Sequence, residues 1–262
     1  DQSLVHGPLE FLFTVDEETG LTGAAGLEPG FVESKTLMNL DSEEEGALYV
    51  GCSGGKDSIG TWKVSFEKAP AKTVAVAVRV AGLKGGHSGL EIDKGRGNAI
   101  KILNRALIGL SDLGARLSSV EGGNKRNAIP REAEAVVLIP KKKVDDAYVV
   151  VSEYNKTVKA EFSTVDPDLQ VTMEELKSKK GKVIKKGQQQ KLMQTIAALP
   201  HGVTKMSADI PGLVETSTNV AVIQTQKKSV SLATSQRSSV ASELLEMVQT
   251  VSAVFVLGGA DV

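Results

Sequence analysis

The alternation of apolar and polar positions divides the chain into short blocks. Leu9 to Val15 forms an apolar run that ends abruptly in Asp16-Glu17-Glu18-Thr19-Gly20. Thr36 to Leu40 forms a second, ending in Asp41-Ser42-Glu43-Glu44-Glu45-Gly46. Short apolar runs bounded by turn residues predict buried strands. Two parallel strands of this kind would carry their carboxylates to one edge of an open α/β sheet, the edge where ligands bind. Clustered carboxylates repel one another unless a cation, shared protons or ample water intervenes. Two readings stand side by side at this point: half of a metal site, or two solvated acidic turns. An alternating segment, Ala47 to Cys52, follows before Ser53-Gly54-Gly55-Lys56 breaks the pattern.

Beyond residue 56 the pattern changes. Strands are predicted over 59–66, 73–80 (rich in β-branched residues), 134–139 and 157–165. Ile100, Leu103, Leu107 and Leu110 recur at helical spacing within 95–112, and further helices are predicted over 144–154, 188–198 and 240–257. Residues 219–226 and 229–234 predict a hairpin across Lys227-Lys228. The Lys-rich run 174–187 reads as a solvated surface helix or loop, with no interleaved aromatics to stack bases. His201, between Pro200 and Gly202, reads as part of a helix stop. The compositional shift places a boundary at residues 53–58. The expected organisation is an α/β portion over 1–56 and an α+β domain over 57–262, an antiparallel sheet with helices on one face.

Composition sharpens this picture only modestly. The chain has 262 residues, with 41% apolar and 4% aromatic, so Val, Leu, Ile and Ala must build the core. A formal net charge of −1 offers no global field for nucleic acid or an anionic membrane. No apolar run approaches the ~20 residues of a membrane-spanning helix. The single cysteine, Cys52, excludes an intrachain disulfide, fits the cytoplasm, and reads as a small buried hydrophobe at a strand end. The ends of the sequence read as those of a segment from a longer protein.

Motif chemistry narrows the alternatives. Walker, nucleophile-elbow and zinc-finger spacings are absent. Gly95-Arg96-Gly97-Asn98 opens a helix but is weak alone. Among the three histidines, His87 stands out because the glycines of Gly85-Gly86-His87-Ser88-Gly89 allow close backbone approach. A plain surface histidine is the alternative.

Four ordered motifs then point to a family: Thr14-Val15-Asp16-Glu17-Glu18-Thr19-Gly20; Asn39-Leu40-Asp41 with its acidic tail; Gly85 to Gly89 with Arg96-Gly97-Asn98-Ala99; and Asn127-Ala128-Ile129-Pro130-Arg131-Glu132-Ala133. The stretches Pro211 to Asn219 and Ser235 to Ser239 extend the match. Together they resemble the di-zinc clan of aminopeptidases, carboxypeptidases and aminoacylases, and within it the bacterial Xaa-His dipeptidases. The resemblance implies a catalytic-domain portion at 1–56 and a lid at 57–262 that forms a homodimer. It implies Glu17 as general base, with Glu18 and Asp41 as ligands of two Zn2+ ions per active site in the intact enzyme, or of Mn2+ or Co2+ in their place. It places His87 at the oxyanion of the tetrahedral intermediate and Asn127 and Arg237 at the terminal carboxylate of a dipeptide substrate. The chemistry agrees: a metal-bound water gives its proton to a nearby carboxylate, and an Arg grips a carboxylate with a fork.

The family's early His-x-Asp, bridging Asp and C-terminal His are missing from this chain, so it is expected to have little activity alone. The implied activity is dipeptide hydrolysis, preferentially of Xaa-His. The alternatives are a tripeptidase, carboxypeptidase or N-acyl amino-acid deacylase of the same clan, or a non-catalytic dimerisation module.

Overall fold

The structure is a computed structural model that describes residues 4–17, 21–41, 45–49, 51–177 and 181–262. Two compact units divide at Gly51 and Cys52.

In the first unit the only helix among the described residues is α1, Thr22–Ala25. The runs 9–15 and 36–40, expected as strands, are not strands. Strands need a neighbouring extended backbone to form a ladder with, and neither run forms one among the described residues; the Val15 carbonyl instead accepts the Gly23 N–H at 3.1 Å. Their side chains stay outside any core: Phe13 is 90% exposed and Leu40 88%.

The second unit carries strands β1 (Gly54–Lys63), β2 (Phe66–Lys68), β3 (Thr73–Ala81), β4 (Gly86–His87), β5 (Arg116–Gly122), β6 (Ala128–Ile129), β7 (Ala133–Pro140), β8 (Gln170–Glu175), β9 (Lys182–Ile184), β10 (Gly202–Met206), β11 (Val214–Thr225) and β12 (Ser229–Ser238). Its helices are α2 (Ala99–Asp112), α3 (Val144–Glu161), α4 (Lys186–Ala198) and α5 (Ala241–Leu257). Eight strands form one antiparallel sheet in the order β1-β12-β11-β5-β7-β3-β8, with β10 beside β11. The helices neighbour one another as α3-α2-α4-α5. The α+β class expected for this region is therefore what the chain adopts.

The sheet is built from two similar halves. Strand β3, helix α2, strands β5 and β7, helix α3 and strand β8 make one β-α-β-β-α-β unit with strand order β8-β3-β7-β5. Strand β1, helix α4, strands β11 and β12 and helix α5 repeat it, and a single bridge, Thr61 with Asp261, stands in the place of the fourth strand. This is the split β-α-β pattern twice over, the first copy inserted between β1 and α4 of the second. The halves join where β5 meets β11, Gly122 opposite Ile223 and Glu121 opposite Gln224.

Helix α2 anchors the core. Ile100, Leu103, Leu107 and Leu110, the row read from the sequence, are all buried. The helix starts at Asn98, whose side chain accepts the N–H groups of Ile100 and Lys101, as an N-cap should. Lys101 then reaches the carbonyls of Ile196, Ala197 and Leu199, satisfying the C-terminal end of α4. Trp62 packs edge-on against Phe255 and donates to the Gly258 carbonyl.

Three sequence readings in this unit are corrected. Residues 157–165 do not form a strand: α3 runs on to Glu161, because Val144, Ala147, Val151 and Val158 keep one stripe on the core at spacings of three, four and seven. The Lys-rich run contributes the end of β8 and all of β9 rather than only a helix or loop, while residues 178–180 lie outside the described set. Cys52 is exposed rather than buried, because β1 begins only at Gly54.

Candidate functional site

Two small ribbons lie off the main sheet. One of them, β4 with β6, pairs Gly86 with Ile129 and His87 with Ala128. It ties the loop after β3 to the loop before β7, and β6 contacts β11. The base of the first loop is closed by Asp166, fully buried, whose carboxylate accepts the N–H of Lys84 and of Gly97 at 2.8 and 2.7 Å. A charged acceptor shared by two backbone donors is a strong tie.

Within this loop every backbone direction around His87 is specified. The His87 N–H donates to Glu91 Oε2 at 2.9 Å, Ser88 N–H donates to the Asn127 carbonyl at 2.8 Å, and Glu91 N–H donates to the His87 carbonyl at 2.9 Å. Glu91 pairs with Arg96 at 2.8 Å. The hydrogen bond from His87, followed by the Arg96 partner, lowers the Glu91 carboxyl below its usual range.

Strand β12 brings Arg237 to the same place. A Cβ on Gly89 would stand 3.0 Å from Cε1 of His87 and 3.2 Å from Cζ of Arg237, so imidazole and guanidinium flank this one glycine. Arg237 lies opposite Gly55 and Ser217. One step along the same face lies Asn219, opposite Ser235, buried and donating from Nδ2 to the Ala128 carbonyl at 2.8 Å. The Asn127 loop therefore rests on Asn219 and touches Ser88. Arg126 adds an ion pair to Asp57 at 2.9 Å.

Buried polar atoms here lack hydrogen-bond partners: Nε of Arg237, Oγ of Ser88 and Oδ1 of Asn219. Such atoms are costly inside a fold. A donor fork beside an imidazole, with further polar atoms at its edge, suits a small polar ligand carrying a carboxylate.

The structure thus gathers His87, Asn127 and Arg237 from three separate parts of the second unit. Glu17 and Asp41 lie in the first unit, both exposed, and Asp41 N–H bonds Asn39 Oδ1. Glu18 lies outside the described residues. Among the described residues no three His, Cys, Asp or Glu side chains stand together as a metal-holding group. Glu91, Arg96, Asp166 and Asn219 were not singled out from the sequence as site residues. Glu91 and Asp166 lack any local pattern that marks a loop clamp; Arg96 opens the quoted motif Arg96 to Ala99 and Asn219 closes the segment Pro211 to Asn219, but only the fold shows that they neighbour Glu91 and Arg237, respectively. His201 proves to be more than a helix stop: its Nδ1 accepts the Val220 N–H at 3.4 Å and lies 3.3 Å from Asn98 Nδ2.

Comparison with known proteins follows the same lines. Residues 78–166 match the peptidase dimerisation domain. The chain is 40% identical over 224 residues to the cytosol non-specific dipeptidase of Escherichia coli, covering 85% of this chain and 46% of that protein. The crystal structure of aminoacylhistidine dipeptidase from Vibrio alginolyticus superposes with a TM-score of 0.85 at 38% identity, covering 95% of this chain and 51% of that one. An uncharacterised Bacillus subtilis protein is 30% identical over 152 residues, 54% of this chain and 36% of its own length. The chain spans about half the length of the two dipeptidases. The chain is thus similar in sequence and fold to these dipeptidases over about half their length, and its residues 78–166 match the peptidase dimerisation domain.

Proposed function

We propose that the whole protein hydrolyses dipeptides, Xaa-His among them, and that residues 57–262 form its substrate-gripping, dimerising lid. The observation carrying this reading is the meeting of His87 and Arg237 across Gly89, beside the loop of Asn127. In it, Arg237 grips the substrate's terminal carboxylate, Asn127 lines the same subsite, and His87 faces the carbonyl oxygen as charge develops there. The two dipeptidase relatives carry printed names that differ in breadth, non-specific and aminoacylhistidine, so we read the Xaa-His preference as one of degree.

The hydrolytic metal, zinc in this reading, belongs to the whole protein, with Glu17 as base and Glu18 and Asp41 among the ligands. It would supply an activated water. The described residues do not complete such a centre among themselves. What residues 57–262 contribute is grip, orientation and hydrogen-bond donation. Cytoplasmic location and a homodimer formed through the lid complete the proposal.

The test is hydrolysis by the full-length protein of free dipeptides, their C-terminal amides and N-acyl amino acids. Free dipeptides should be preferred, and Arg237→Met should weaken kcat/KM for them by about 10–100-fold, the worth of a charged hydrogen bond, while barely changing the amides. Preferential cleavage of N-acyl amino acids would replace the reading with deacylation. No hydrolysis at all by metal-loaded protein would favour a purely structural dimerisation module.

A further inference from the structure

The loop that carries His87 has more structure than a flexible glycine-rich segment needs. The His87 ring nitrogen Nδ1 accepts two backbone N–H groups, from Gly89 and from Leu90, each at 3.2 Å. A nitrogen receiving two donors cannot itself bear a proton, and in a neutral imidazole the proton then sits on the other nitrogen. The loop thus selects one of the two tautomers.

The same loop is pinned at the next turn. Glu91 Oε2 takes the His87 N–H, Glu91 Oε1 pairs with Arg96, and Arg96 Nη1 donates to the Gly85 carbonyl. Backbone, carboxylate and guanidinium close a ring around residues 85–91. Gly86 shows how tight that ring is: its φ is +140°, and a Cβ there would stand 2.5 Å from both Arg96 Nη1 and Glu91 Oε2.

We propose that Glu91 and Arg96 are positioning residues for His87, and that together with the Gly89 and Leu90 amides they hold its ring as the Nε2–H tautomer, a hydrogen-bond donor and not a base. This rests on the reading of His87 as a group facing the substrate carbonyl. The lowered Glu91 carboxyl agrees, since the clamp needs the charged form. Neither residue touches substrate in this reading; each acts through His87.

The test has two parts on the full chain. Labelling with 15N-histidine and recording long-range proton–nitrogen correlations at about pH 8, where free imidazole is neutral, reports the tautomer. Three histidines are present, and His87→Gln identifies the signals of interest. His87 should show a bare Nδ1 and a protonated Nε2. In Glu91→Ala the signals should move towards a mixture of tautomers. In the full-length protein kcat should fall about 10–100-fold, the scale of a misplaced catalytic group, with KM nearly unchanged. Glu91→Gln keeps an acceptor for the His87 N–H and should recover part of the loss. Because Glu91 is a half-exposed loop residue, the unfolding temperature should barely move, which separates positioning from a structural role. A protonated Nδ1 in the unaltered protein, or a Glu91→Ala variant with unchanged His87 signals and kcat, overturns the proposal. If His87→Gln hydrolyses dipeptides at full rate while the tautomer is as described, the functional reading of His87 falls and the geometry of the clamp stands.

Discussion

At the scale of single residues, Gly89 is where the site is most sensitive. Its missing side chain lets the His87 ring and the Arg237 guanidinium approach from two sides. Gly89→Ala puts a methyl group 3.0 Å from one and 3.2 Å from the other, tighter than ordinary contact, and both must shift. We expect dipeptide kcat/KM of the full-length protein to fall about 10–100-fold while thermal unfolding changes little, which steady-state kinetics and calorimetry would separate. His201 makes a different prediction. Burial, and then the neighbouring Lys101 charge, lower its pKa from 6.5 to about 4; the ring is enclosed although the residue as a whole keeps some exposure. A histidine lowered on folding contributes its full stability above its unfolded value. As pH falls through about 6.5 the unfolded chain takes up a proton that the folded chain refuses until about pH 4, so stability is lost across that window. Between pH 7 and pH 5 the loss attributable to this residue should approach about 2 kcal/mol. Melting curves of His201→Gln over that range should show a flatter acid dependence than the unaltered protein.

At the scale of elements, what could be read locally came out well. Helix α2 and the β11–β12 hairpin were visible because each declares itself within a dozen residues: a stripe at Ile100, Leu103, Leu107 and Leu110, and two β-rich runs across Lys227-Lys228. The far end of α3 was misread because Thr157 to Val165 alternates like a strand. Continuing the helix keeps Val158 on the core below Val151, and tertiary packing overrode the local pattern. The runs 9–15 and 36–40 failed for the opposite reason: strand-like composition makes no strand without a neighbouring backbone. The loop 82–98 falls between these cases. Its glycines and histidine were legible, but its clamp was not, because Glu91, Arg96 and Asp166 become partners only when the chain folds back on itself.

At the scale of the whole second unit, two β-α-β-β-α-β halves meet through a short junction. Only Gly122–Ile223 and Glu121–Gln224 pair as strand neighbours there, and the side chain of Thr225 continues the ladder, its hydroxyl accepting the Val120 N–H at 2.8 Å and donating to the Val120 carbonyl at 2.9 Å. Thr225→Val keeps the shape and removes both bonds. It should destabilise this unit by about 1–2 kcal/mol, the cost of leaving backbone groups unmet, as measured by denaturant unfolding. The sequence by itself determined the class of this unit, most of its helices, its hairpin and the presence of His87 among glycines, since each depends on residues close together in the chain. Only the tertiary structure decided that His87, Asn127 and Arg237 share one place, that one imidazole tautomer is selected, and that the sheet is a doubled unit. Those properties arise from contacts between segments up to 200 positions apart, as Thr61 and Asp261 are, which no local periodicity can encode.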